Sequence, residues 1–305
     1  MTFLKNYVKR KKLFLGASFL KPQNPVDYDS PPNKHERNRD IEKYFRPSCL
    51  PLLNKRIDNL SFFDPYYDKK TSQITVPANL LHSPEETILN YFSILREAEN
   101  LTSKKLGGCG TVGFAKIPFP LAYQFLTREY QKEMPYRSYL KSFEGIGHTN
   151  LLKLEKVPTL EGSRWFIEVE TIEGTDKLST NFAYYYGFVE VQQDKSLFKI
   201  SRITLYPEDF LCAAYHGWDH DAEAVVDVKF GEWCGLIKKR MPTKKDGFVK
   251  TIEVIGKDGS DYKFIFFQLT NNTDVLISQY KRKPGGPWEL SNLDPESCLN
   301  NKTRS

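Results

Sequence analysis

Two periods divide the middle of the chain. From Ser83 to Phe143 apolar residues recur every three to four positions, and from Asn150 to Tyr206 they alternate at a spacing of two. The first period predicts helices. Ser83 is placed as an N-cap, Pro84 at the first helical position and Glu86 as the third residue of a capping box. Behind them Ile88, Tyr91, Phe92, Leu95 and Ala98 form one apolar face. A second helix is expected from about Pro120 to Lys132, burying Leu121, Phe125 and Tyr130. A further turn from Pro135 carries Tyr139, Leu140 and Phe143 and is stopped by Gly145. The second period predicts four strands, NLLKLEKV, RWFIEVETI, NFAYYYGFVEV and SLFKISRITLY. In the second of these Trp165, Ile167 and Val169 face one way and Glu168 and Glu170 the other, which predicts a sheet with one wet side.

The flanks read differently. Residues 1–47 are a basic arm and a Pro-rich linker, and residues 48–82 are a β-like connection broken by Pro51, Pro65 and Pro77, with a hairpin expected in SFFDPYYDKKTSQITV. After residue 211 comes a smaller unit, residues 212–290. A helix over HDAEAVVDVKFGEWCGLIKK is followed by strands FVKTIEVI, YKFIFFQL and DVLISQYKRK, with Gly256–Gly259 turning between the first two. Residues 291–305 read as a frayed tail. The fold class is α+β throughout.

Composition narrows the function classes. With 40% hydrophobic and 14% aromatic residues, the 305-residue chain has ample core material for about two domains. The net charge of +6 is local: Lys5, Lys9, Arg10, Lys11, Lys12 and Lys21 stand in the first 21 residues without an acid. Removing those six from the 44 basic residues leaves a balance with the 38 acidic ones, and so neutral a body argues against a nucleic-acid partner. Cys49, Cys109, Cys212, Cys234 and Cys298 are odd in number and lack a CxxC pair, the usage of reduced, packed thiols and of a cytoplasmic protein. The apolar run LFLGASFL is too short to span a bilayer. Two readings of residues 1–21 stay open, a disordered tail and a peripheral membrane anchor using Phe3, Leu4, Tyr7 and Val8 beside the lysines.

Helices first, then a run of antiparallel strands, resembles the nuclear transport factor 2-like superfamily. The resemblance is carried by SPEETILNYFSILREAEN, YRSYLKSFEGIGHTNLLKLEKV and SLFKISRITLYPEDFL, over residues 83–211. It implies helices held in a curved, cone-like antiparallel sheet with an interior pocket, in a superfamily where many members are non-catalytic. Tyr184, Tyr186 and Phe188, which alternate onto one strand face, and His148 are its ligand candidates, for a small apolar ligand or a protein segment. Gly107, Gly108, Gly110 and Gly113 lack the spacing of a phosphate loop and read as a plain loop. No cofactor is implied. The one alternative chemistry is a transition metal at Cys212, His216 and His220, four residues apart with Asp219, Asp221 and Glu223 nearby, for a metal-assisted hydrolase or an acid–base enzyme. Gly217 and the lack of an HExxH pattern count against it, and a capping role for Asp219 or Asp221 is the simpler reading.

Overall fold

The computed structural model describes residues 12–19, 52–57, 59–105, 115–159, 162–177, 179–208 and 214–302. The chain divides into two compact units that part after Glu208. Both are α+β.

The first unit is a six-stranded sheet under a layer of short helices. Its strands are β1 (Lys12–Phe14), β2 (Ala17–Phe19), β3 (Ile146–Val157), β4 (Ser163–Gly174), β5 (Thr180–Asp194) and β6 (Leu197–Pro207). Their order across the sheet is β1-β2-β6-β5-β4-β3. The four expected strands are thus an antiparallel meander, and β2 adds to it in parallel beside β6.

That addition corrects the reading of the N-terminal arm for residues 12–19 alone, which contribute a hairpin to the sheet. Its turn is buried at Leu15 and Gly16. Gly16 has φ +70, and a Cβ there would meet the Tyr139 ring at 2.6 Å, so only glycine fits. The hairpin is pinned by Leu15 N donating to Ser142 O, Gly16 N donating to Ser142 Oγ, and Tyr130 OH donating to Gly16 O. Phe3, Leu4, Tyr7 and Val8, the linker from 20 to 51 and the glycine-rich loop from 106 to 114 lie outside the described residues.

Helix α1 (Pro84–Arg96) starts as expected: Ser83 Oγ accepts from Glu86 N, and Thr87, Ile88, Tyr91, Phe92, Ile94 and Leu95 are buried. The second helix departs from expectation. It breaks into α2 (Pro118–Tyr123) and α3 (Arg128–Glu133), because Leu126 bridges to Ile200 of β6 and Thr127 N donates to Ile200 O before Thr127 caps α3. Pairing with the sheet edge takes backbone groups that a continuous helix would need. Helix α4 (Tyr136–Lys141) follows Pro135.

Residues 52–82 form no hairpin. They make 3₁₀ turns at Leu60–Tyr66, Thr71–Gln73 and Ala78–Leu80, and Phe63, Ile74, Val76 and Leu81 enter the same core as α1. Pro65 and Pro77 lack the N–H a strand ladder requires. Asn54 closes the free edge of β3. Its Nδ2 donates to Phe92 O and Thr149 O, and its Oδ1 accepts from Leu151 N.

The second unit packs a helical segment on an antiparallel sheet. Asp221 caps α5 (Ala222–Val225), which widens into a π-helical stretch over Val226–Trp233. Strands β7 (Ile237–Arg240), β8 (Lys244–Asp246), β9 (Val249–Gly256), β10 (Asp261–Gln268), β11 (Asp274–Arg282) and β12 (Glu289–Ser291) follow, in the order β12-β11-β10-β9-β7 with β8 also on β9. Ala222, Val225, Val226, Phe230, Ile252, Val254, Tyr262, Phe264 and Phe266 make its core.

As far as Lys302 the tail is not frayed: β12 pairs with β11, and α6 (Pro295–Lys302) is joined to the end of the π-helical stretch by a Cys234–Cys298 disulfide. This corrects the reading of reduced thiols and removes the premise for a cytoplasmic home, since such bonds persist in oxidising compartments. No described helix is long and apolar enough to cross a membrane.

Candidate functional site on the first sheet

Strand alternation gives the first sheet two faces. Leu151, Ile167, Val169, Tyr185, Val189, Ile203 and Leu205 point to the helices and share their core. Gly187 lies among them, and a Cβ there would collide with the Thr204 carbonyl, so β5 and β6 approach at that point only because the residue is glycine. The opposite face carries the chemistry.

A bulge between Leu151 and Lys153 turns Lys153 onto that opposite face, directly across from Glu168, while Asn150 faces Glu170. Glu168 pairs in turn with Tyr186 and Glu170 with Tyr184. Glu168 and Glu170 are fully buried, and Lys153, Tyr184, Asn150 and Glu208 nearly so. The wet side expected from the alternation is therefore wrong, because alternation separates two faces without saying that one of them meets water.

Burying these groups requires neutralisation. Lys153 Nζ lies 2.6 Å from Glu168 Oε2. Tyr184 OH donates to Glu170 Oε2 at 2.8 Å, and Asn150 Nδ2 donates to Glu170 Oε1 at 2.9 Å. Burial first, and then the Glu168 carboxylate within hydrogen-bond reach, push Glu208 up to about 10, although Lys153 pulls the other way. Glu208 is thus a neutral acid at pH 7. A proton on Glu208 turns the contact between the two carboxyls from repulsion into a hydrogen bond. Burial, then the Glu170 charge, also raises the Tyr184 hydroxyl well above the usual phenol range.

Beside this cluster runs a ladder of rings. Tyr206 stacks on Tyr186 at 5.3 Å, Tyr186 on Phe166 at 6.4 Å, and Phe166 meets Phe188 edge-on at 6.0 Å. The Arg164 guanidinium closes the ladder 3.9 Å above Phe188. Tyr186, Phe188 and Tyr206 are half-buried, whereas Phe166 is wholly covered.

The four candidates named from sequence fall on this one face, though not in an interior pocket on the helix side. Tyr184 belongs to the acid cluster, and Tyr186 and Phe188 to the ladder. His148 is opposite Ile172, four residues beyond Glu168 along β4. Burial, then Arg96 and Arg56, lower it to about 4, so it is a neutral imidazole at pH 7. Sequence reasoning missed Lys153, Phe166, Tyr206, Glu208 and Arg164. The available signal was Glu168 and Glu170 alternating with apolar residues in a strand that carries Phe166 on their side.

The other candidate cluster falls largely outside the described residues. Cys212 and the His216 side chain lie outside the described residues. Ala214–His220 is 3₁₀ rather than α-helical, and at three residues per turn positions four apart do not share a face. Asp219 is paired with Lys229 at 2.7 Å, Asp221 caps Ala224 N, and Glu223 accepts from Thr243 and Arg240. Among the described residues no three His, Cys, Asp or Glu side chains are grouped to hold a metal.

Two recesses border the first sheet. The larger, about 500 Å³, lies at the β5–β6 tip beside Arg128 and Lys199, is walled by largely exposed polar residues and contains no ring of the ladder. The smaller, about 360 Å³, is lined by Arg164, where the ladder ends. Comparison of the chain with family models, with curated proteins and with solved structures gave no match.

Proposed function

We propose that the protein is a non-enzymatic binding module whose working surface is the ladder face of the first sheet, taking a small apolar ligand or an apolar segment of a protein partner. The observation that carries this reading is the row Tyr206, Tyr186, Phe166 and Phe188, in which three rings remain half-accessible on the side of the sheet that the helices do not cover. Aromatic rings on a rigid sheet offer a large contact area at little cost in side-chain entropy. The acid cluster next to them is closed on itself, since Lys153 faces Glu168, Tyr184 and Asn150 face Glu170, and Glu208 keeps its proton. That arrangement supports a recognition surface better than a turnover site. The order of helices before a meander supports the nuclear transport factor 2-like reading, in which such scaffolds commonly bind without catalysis.

The test is binding of a neutral solvatochromic dye, alongside native mass spectrometry of protein purified from its own host. The Tyr186→Ala, Phe188→Ala double variant is expected to weaken dye binding about tenfold or more, by loss of two stacking rings at about 0.5–1.5 kcal/mol each beyond their buried area. Any molecule retained by the wild type should be missing from it. Equal dye binding by the two proteins, with nothing retained by either, overturns the proposal.

A further inference from the structure

The ladder ends at a charged group with unused hydrogen-bonding capacity. Arg164 sits in β4, opposite Val157 on one side and Glu190 on the other, and its guanidinium carbon lies 3.9 Å from the centre of the Phe188 ring. Its Nε is buried and has no hydrogen-bond acceptor, and no carboxylate lies within ion-pair distance of its guanidinium among the described residues. Glu190, the obvious candidate, has its carboxylate 4.0 Å from Arg202 instead. A buried donor left without an acceptor is costly, and native structures leave few of them.

The space beside this group is shaped for a ligand. Ser163, Arg164, Glu190, Gln192 and Ser201 line the recess of about 360 Å³, at the small end of ordinary ligand sites. Ser163 Oγ accepts the Trp165 indole N–H at 2.7 Å and belongs with Trp165 to the helix side of the strand. Ser201 spends its own proton on Glu190 O. The recess therefore presents a guanidinium at the end of a row of rings.

We propose that this recess is the anion end of the ladder site, and that the ligand is an aromatic or apolar carboxylate whose body lies along Phe188 and Tyr186 while its carboxylate meets Arg164. A planar carboxylate matches the guanidinium fork. A single negative charge suits the site better than two, because Glu190 borders it. The inference rests on the binding reading of the ladder and adds the chemical class of the ligand.

The experiment titrates the full-length protein by two-dimensional NMR with three probes: phenylacetate, phenyl phosphate and neutral 2-phenylethanol. Wild type is expected to bind phenylacetate about tenfold more tightly than 2-phenylethanol, the size of one charge-assisted hydrogen-bonded contact. Arg164→Gln should abolish that preference, and Arg164→Lys should restore part of it. Thermal melting of each variant checks folding. A preference for phenylacetate that survives in Arg164→Gln overturns the proposal, as does tighter binding of phenyl phosphate. Binding of 2-phenylethanol with no gain for phenylacetate removes the carboxylate assignment and leaves the ladder reading standing. Failure of all three probes removes both.

Discussion

Each unit buries one lysine against one carboxylate at the same distance, and the two pairs are built for different ends. In the second unit Lys250 Nζ lies 2.6 Å from Asp274 Oδ2, and the same oxygen accepts the Ala222 N–H at 2.9 Å. Asp274 thus ties β9 and β11 to the start of α5, so its burial is explained by what it holds together. In the first unit Lys153 and Glu168 also meet at 2.6 Å, but Glu208 stands beside them as a third group that adds no tie of its own and must carry a proton. A pair that organises its neighbours is structural. A pair with a superfluous buried acid beside it, on a face bearing half-accessible rings, is where perturbed groups mark a candidate site.

The comparison breaks most visibly if Asp274 is dispensable. Asp274→Ala leaves the Lys250 ammonium largely buried and uncapped helix N–H groups at Ala222, and should cost about 3–5 kcal/mol, the usual penalty for stripping a buried charge of its partner. Urea denaturation measures the loss, and hydrogen exchange over residues 222–233 should localise it. A loss under about 1 kcal/mol would mean that this pair organises nothing. The next effect belongs to the second unit's other tie. Cys234→Ser should lower stability by about 2–4 kcal/mol, since the bond closes a long loop, across a sequence separation of 64. A reductant should reproduce that loss in the wild type and do nothing further to the variant. If reductant leaves the wild-type midpoint unmoved, the α6 staple is absent in solution.

What could be read in the residues was local. Ser83 and Pro84 announce α1, the period of two announces β3 to β6, and Gly256–Gly259 announces the β9–β10 turn, because each signal sits within a few positions of its effect. What could not be read depends on partners far along the chain. LFLGASFL becomes a hairpin because Ser142 and Tyr130 receive it. The helix expected over 120–132 breaks because Ile200 claims its middle. Cys234 and Cys298 give no motif at their separation. The site shows the same division. Tyr184, Tyr186 and Phe188 were legible as one strand face, but Lys153 reaches it only through a bulge, and the burial of Glu168 and Glu170 has no local signature.

Glu208→Gln sharpens the contrast between the pairs with the smallest expected change and an opposite sign. An acid whose folded pKa is raised above its unfolded value near 4.5 binds a proton on folding at every pH between 4.5 and about 10. In that window the native state holds more protons than the unfolded one, so the wild type loses stability as pH rises, by at most about 1.4 kcal/mol per pH unit. Glutamine keeps the shape and the donor of the neutral acid without the titration. The variant should therefore come close to the wild type near pH 5, exceed it by about 2–3 kcal/mol at pH 7 and exceed it further at pH 9. Urea midpoints at the three pH values test this, and parallel curves would show that Glu208 is ordinarily ionised and that the cluster is one more structural ion pair. A gain means that the chain keeps at this position an acid that lowers its own stability, which is how residues retained for a function other than folding behave.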